Sequence, residues 1–417
     1  MGRFEKSKAK VLIFSTFFLL FHFSGLYTTV PKFISILFIL FVKEGTHSMK
    51  FTCERQLLLE AVLNVQHAVS SKSSIPALQG ILLKAKQNSL FLCGYDAEML
   101  GMTTEIQADV LETGTIVLSA KLFGDIVRRL PDESVHIETD EKNITAIRSG
   151  QSHFSIVGIP AEEYPELPKI SGERGIRISN HVLKDMIHQT IFAVADNDAK
   201  PIHTGTLFEI GNGKIRLVSV DGYRLALREE MVNSEEQNLS FVVPGKALLE
   251  VSKLLPENDE NCSIQVGSRH ILFMVGNYTV IARLLEGQFL DYRSAIPQKS
   301  STQIVLKTSD FINSVERVSL LITDRLKSPI RCIFEENAVR LSSYTPIGRA
   351  SDQFPEKSEG QPVEMGFNNH YLLDALRNAE GDQVRIELNG PLSPMKVLPM
   401  EGNSFLFLVL PVRLKSE

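Results

Sequence analysis

Residues 49–69 read MKFTCERQLLLEAVLNVQHAV, and the chain returns to this pattern at 174–194 (RGIRISNHVLKDMIHQTIFAV) and at 302–322 (TQIVLKTSDFINSVERVSLLI). In the first copy Lys50 to Cys53 reads as a strand, and Leu58, Val62, Val65 and Val69 follow at helical spacing. Phe51, Leu57, Leu58, Val62 and Val69 are answered 125 residues later by Ile176, Val182, Leu183, Ile187 and Val194. Ile304, Phe311, Val315 and Ile322 answer again after a further 128. The later halves repeat as well, since Leu130-Pro131 returns as Leu255-Pro256 and Ala379-Glu380 holds the third place. Each unit, of about 123 residues, is far longer than a solenoid repeat and large enough to bury its own core. The expected organisation is therefore three tandem domains, at 49–173, 174–298 and 299–417, behind an extension of residues 1–48.

Within a unit the order strand, helix, short strands occurs twice. In the first unit strands are expected at 80–86, 89–94, 114–119, 134–139, 143–149 and 153–160, with a second helix over 120–130 stopped by Pro131. Each unit should be an α+β domain with two helices on one side of antiparallel sheets.

The chain has a net charge of −5, and residues 1–48 hold six Lys/Arg against two acids, which leaves −9 for the rest. An acidic body does not hold nucleic acid by bulk charge, so any DNA contact needs a local basic surface or a topological link. Cys53, Cys93, Cys262 and Cys332 stand alone in apolar surroundings, which excludes a C-x-x-C zinc site and fits a reducing compartment. No G-x-G-x-x-G, Walker A, H-E-x-x-H or G-x-S-x-G is present, and the ten His are scattered. Neither metal, cofactor nor catalysis is expected.

Residues 1–48 admit more than one reading. Arg3, Lys6, Lys8 and Lys10 before the apolar run 11–23 resemble a signal peptide or anchor, with a second apolar run at 33–42. Alternatively the segment is an untranslated leader read in frame, because Lys43-Glu44-Gly45 can be encoded by a purine-rich ribosome-binding sequence shortly before Met49. The second reading makes Met49 the working start and the chain cytoplasmic. The first keeps open a membrane-anchored or secreted enzyme built of repeated β-rich domains.

Lys121 and Arg128 lie seven residues apart and so share a helix face, and Lys246 and Lys253 repeat them at 125. In the third copy Arg377 holds the second position and His370 the first. A solvated helix face would explain such residues singly. Their repetition in an acidic chain points instead to a continuous basic surface made by equivalent helices.

The run Leu217-Val218-Ser219-Val220-Asp221-Gly222-Tyr223-Arg224-Leu225-Ala226 and the terminal Phe407-Leu408-Val409-Leu410-Pro411-Val412-Arg413-Leu414 closely resemble the bacterial DNA polymerase III beta subunits, the sliding clamps. Met49-Lys50-Phe51, Arg317 to Leu321 and Met365 to Asn368 extend the resemblance over Met49 to Leu414. It implies three DNA-clamp domains per chain and a head-to-tail homodimer forming a ring around duplex DNA. The implied partners are the replicative polymerase's catalytic subunit, an ATP-dependent clamp loader and other proteins carrying a clamp-binding motif. For the dimer interface it implies Phe154 and Ile156 against Leu320 and Leu321, which would otherwise read as core. For DNA it adds Lys72, Asn197 and Lys200 to the helix positions.

For a peptide-binding groove it implies His203, Val220, Gly222, Tyr223, Arg224, Leu225, Leu290 and Ala295 from the second domain. The third would contribute Asn368, Tyr371, Leu392, Pro394, Val409, Leu410, Pro411, Val412 and Arg413. Three of these depart from the family pattern: His203 replaces the usual Leu, Val220 a frequent Thr, and Leu290 the Pro of F-P-D-Y.

Overall fold

The structure is a computed structural model that describes residues 48–414 apart from 71, 171–174, 197–199, 233–237 and 324. The extension and Asn197 lie outside the described residues.

Among the described residues six α-helices fall in three pairs: α1 Arg55–Val65 with α2 Ala120–Arg129, α3 Asn180–Ile191 with α4 Gly245–Leu254, and α5 Thr308–Ser319 with α6 Asn369–Arg377. Each pair packs together because its apolar residues lie on one stripe. In α1 the buried positions are Leu58, Ala61, Val62 and Val65, and in α2 Ala120, Phe123, Gly124, Ile126 and Val127. Burying each Leu, Val, Ile or Phe side chain contributes about 1.5–3 kcal/mol. The first helix is shorter than its sequence pattern, since residues 66–68 tighten into a 3-10 turn that takes up the last helical carbonyls.

The described strands pair antiparallel in four sheets. Strands alternate as the pleat requires, and Ser134–Thr139 exposes and buries successive residues throughout. Two sheets run through domain boundaries. An eight-stranded sheet pairs Leu100–Gln107 of the first domain with Tyr278–Arg283 of the second. A nine-stranded sheet pairs Arg224–Met231 of the second domain with Phe405–Val409 of the third. These junctions are equivalent, because Leu100–Gln107 and Arg224–Met231 hold the same place in their repeats, as do Tyr278–Arg283 and Phe405–Val409.

Two strands of the same kinds have no such partner among the described residues. Gly348–Phe354 ends the four-stranded sheet of the third domain, and Ser152–Val157 ends the five-stranded sheet of the first. Ser152–Val157 has no buried residue, and Gly348–Phe354 buries Phe354 alone.

The four cysteines are free and buried, and desolvation pushes the thiols of Cys53, Cys93 and Cys262 up to about 12. No group of three or more His, Cys, Asp or Glu able to hold a metal occurs among the described residues, and no described helix is long and apolar enough to cross a membrane.

Candidate functional site

The second and third domains meet at a loop, a helix start and the end of the chain. Asp221 folds the loop: its Oδ1 accepts the backbone N–H groups of Tyr223 and Arg224 at 2.8 and 2.9 Å. Gly222 completes the turn at φ +92°, a conformation that side chains rarely adopt. Asn368 caps α6, its Oδ1 accepting from the N–H of His370 at 2.9 Å. Tyr371, in the first turn of that helix, then stacks on Tyr223 with ring centroids 5.7 Å apart.

Arg224 ties these pieces together. Its Nε donates to Asp221 Oδ2 at 3.0 Å and its terminal nitrogen to Asp374 of α6. The guanidinium lies 4.7 Å from the Tyr371 ring centroid and 5.6 Å from that of Phe192. Planar stacking with two-sided ion pairing suits Arg and not Lys.

The chain end forms the other wall. Leu410 N–H donates to the Tyr223 carbonyl at 2.9 Å, and Val412 N–H to the Gly366 carbonyl at 2.8 Å. A Cβ on Gly366 would come within 2.6 Å of the Val412 carbonyl, so this approach needs glycine. Val409 is buried in its strand, whereas Leu410 and Val412 are 38% and 42% exposed, apolar side chains left open to a ligand. Leu392, at 75% exposed, stands in the loop that carries the half-buried Pro394.

The floor comes from the second domain. Val220, Leu225 and Tyr292 belong to one buried apolar cluster, with Phe289 packed against it. His203 is buried beside this cluster, its ring edge-on to Phe289 at 5.6 Å, and desolvation followed by the Lys200 charge lowers its pKa. The segment bearing Leu290 and Ala295 is anchored by Tyr292, whose hydroxyl donates to Glu209 at 2.6 Å. Burial and that carboxylate push the Tyr292 hydroxyl up to about 12.

Of the expected groove residues, Tyr223, Arg224, Asn368, Tyr371, Leu410 and Val412 are joined by the contacts above, and Val220 and Leu225 share the cluster. Arg413 is exposed and makes no ion pair with a described residue. Phe192, Phe289, Gly366 and Asp374 join these contacts without being among the expected site residues. Asp374 carried a usable signal, because it repeats Asp125 and Glu250 in register.

Lys72, Lys121, Arg128, Lys200, Lys246, Lys253 and Arg377 are all exposed. Three already hold a carboxylate: Arg128 pairs with Asp125 at 3.2 Å, Lys253 with Glu250 at 2.8 Å and Arg377 with Glu316 at 2.7 Å. The pairs of Arg128 and Arg377 are exposed on both sides and contribute about 0–1 kcal/mol, so a phosphate can displace them, whereas Lys253 holds a carboxylate that is itself buried. Leu320, just past α5, is 81% exposed and Phe154 is 36% exposed, while Ile156 and Leu321 are half-buried. Neither Leu320 nor Phe154 is the core residue that its apolar character alone suggests.

The family descriptions for the N-terminal, central and C-terminal domains of the DNA polymerase III beta subunit match residues 49–168, 177–291 and 293–413 respectively. The beta sliding clamp of Bacillus subtilis is 33% identical over 376 residues, covering 88% of this chain and 100% of the relative. That of Staphylococcus epidermidis is 33% identical over 374 residues, covering 88% and 99%. A crystal structure of the Bacillus subtilis DNA polymerase sliding clamp matches with a TM-score of 0.85 at 33% identity, over 88% of this chain and 100% of that one. A sliding clamp from Pseudomonas aeruginosa bound to griselimycin matches with a TM-score of 0.83 at 27% identity over the same shares. Nothing in these comparisons supports a membrane-anchored or secreted enzyme.

Proposed function

This chain belongs to the DNA polymerase III beta subunit family and is a DNA sliding clamp, and from that premise we propose how its own residues close the ring, face the DNA and hold partners. Two copies join head to tail, Gly348–Phe354 of each pairing with Ser152–Val157 of the other. The observation that carries this reading is the twice-repeated junction. Each inner domain boundary pairs the strand type of Leu100–Gln107 with the strand type of Tyr278–Arg283, and one strand of each type, in the first and third domains, has no such partner among the described residues. Leu320 and Phe154, both exposed, would pack across the closed joint. A closed ring leaves no such edge open.

The six domains of that ring, bounded in each chain near 49–173, 174–298 and 299–417, turn their paired helices inward. Lys121, Arg128, Lys246, Lys253 and Arg377 then face the duplex, and Lys72, Asn197 and Lys200 reach it from loops. Contacts from mobile Lys and Arg to phosphate carry no sequence information and permit sliding, while the closed ring prevents escape. The groove at the junction of the second and third domains takes an extended peptide with apolar anchors, and Arg224, Tyr223 and Tyr371 hold its form. Its occupants are the replicative polymerase, an ATP-dependent clamp loader and other proteins that carry the same motif. The chain acts as a non-catalytic processivity subunit in the cytoplasm.

Retention on nicked circular DNA tests this reading. Protein loaded onto the circle should stay bound through a salt wash and come off once the DNA is linearised. Equal loss from circle and line would rule out a topological link.

A further inference from the structure

A cleft of about 310 Å³ lies at the other inner junction, between the first and second domains. It occupies the place that the peptide groove occupies one repeat later. Asp96 folds its loop as Asp221 does, its Oδ1 accepting backbone N–H groups from Glu98, Met99 and Leu100 at 2.8–3.0 Å. Pro244 precedes α4 as Asn368 precedes α6, and Pro244 lines this cleft.

The side chains have diverged in one direction. Glu98 replaces Tyr223, Met99 replaces Arg224 and Ala247 replaces Tyr371, so the aromatic pair and the arginine between them are gone. Glu250, the counterpart of Asp374, is neutralised from elsewhere, by Lys253 at 2.8 Å, with His67 Nδ1 3.5 Å away. Asp96 and Glu98 therefore lack the cation that the other junction supplies from its own chain. Lys72 and Lys246 line the same cleft and make no ion pair with a described residue. Carboxylates and ammonium groups stand on one cleft without pairing, beside the apolar surface of Val69, Met99 and Ala247.

We infer that this cleft is a second peptide site, which takes a short segment carrying an arginine next to an acidic residue. The arginine fills the place left by Arg224 and pairs with Asp96 and Glu98, and the acid meets Lys72 and Lys246. Guanidinium is favoured over ammonium because it binds a carboxylate through two parallel hydrogen bonds. The segment shares Lys72 and Lys246 with the DNA-facing set, so it binds the free ring and yields to duplex. This rests on the family assignment only for the duplex.

A heptapeptide phage library panned without DNA against Leu410→Lys protein, whose other groove carries a charge, gives the test. Enriched sequences should contain Arg beside Asp or Glu. The synthesised peptide should lose at least tenfold in affinity on Glu98→Lys and on Lys246→Glu, both at exposed sites that tolerate substitution. Failure to enrich any sequence overturns the site. So does an enriched peptide indifferent to both substitutions, and one that depends on Lys246 but not on Glu98 reveals an anion site instead. Binding of an apolar motif peptide to the unaltered protein is scored separately, so loss of the groove reading leaves this result intact.

Discussion

Arg224 of the second domain and Asp374 of the third are ion-paired across the junction, and the arginine side chain is only 10% exposed. Removing the cation leaves Asp221, itself 11% exposed, without its charged partner. Arg224→Met, which copies Met99 of the other junction, should therefore cost about 3 kcal/mol. Urea denaturation followed by circular dichroism would measure it. A midpoint unmoved from that of the unaltered protein would mean that stacking and backbone contacts alone hold the junction.

Ring closure should depend on Leu320 and Leu321. Replacing both with Ala removes apolar contact worth roughly 2–5 kcal/mol per site if fully buried in the dimer. In sedimentation at micromolar concentration the variant should run as a monomer with an unchanged circular dichroism spectrum. A persistent dimer would move the interface away from the exposed strand Ser152–Val157.

The DNA-facing set should show itself through salt. Changing Arg128, Lys253 and Arg377 together to Glu should flatten the dependence of DNA association on ionic strength, because fewer counterions are released per complex. Arg128 and Arg377 give up exposed, individually weak pairs with Asp125 and Glu316, whereas Lys253→Glu leaves the buried Glu250 without its lysine, so the triple variant should stay folded in buffer but unfold at lower urea than the unaltered protein. A folded triple variant with the original salt slope would reduce these residues to ordinary surface.

The triplicated domains, the helix pairs and most strands of the first domain are legible in the sequence, because those leave periodic signals within each repeat. The strand Leu100–Gln107 is absent from the expected strands, and its pairing with Tyr278–Arg283 is illegible too, since strands so far apart in the chain leave no local trace of their register. The open edge Ser152–Val157 was hidden for a related reason. Phe154 and Ile156 alternate with polar residues whether they face a core or a partner, and only exposure tells the two apart. Among the candidate groove residues the sequence motifs name several that the fold brings into contact, but they do not reveal Asp374 as a partner of Arg224, a contact spanning 150 positions. The acids that already hold Arg128 and Lys253, Asp125 and Glu250, stand three residues before them and could have been seen.

Acid should weaken the groove through His203. Burial and Lys200 hold its pKa below the ordinary 6.5, so the folded protein favours the neutral ring. The stabilisation is present in full above the unfolded pKa and is lost as pH falls through the depressed folded value. Peptide affinity should follow the same direction, falling as the pH drops through the depressed His203 pKa, because a charged imidazole is costly beside the Phe289 cluster. His203→Leu should flatten this profile and strengthen binding of a Leu-anchored peptide. A parallel pH profile in both proteins would assign the acid effect to another group.

Leu410 offers the most direct measure of the groove. Its backbone is fixed by the N–H bond to Tyr223, while its side chain stays 38% exposed on the wall, so a substitution there changes the surface without disturbing the strand before it. A peptide with a Gln-Leu-x-Leu-Phe-like sequence should bind the unaltered protein in the micromolar range, roughly −8 kcal/mol. Leu410→Lys places an ammonium group where an apolar anchor must lose its water, and most of that affinity should disappear. Deleting residues 410–417 should do the same, with the added loss of the Val412 bond to Gly366. Fluorescence polarisation with a labelled peptide decides the matter: equal affinity for the unaltered and Leu410→Lys proteins, both folded by circular dichroism, would put the partner site away from the chain end.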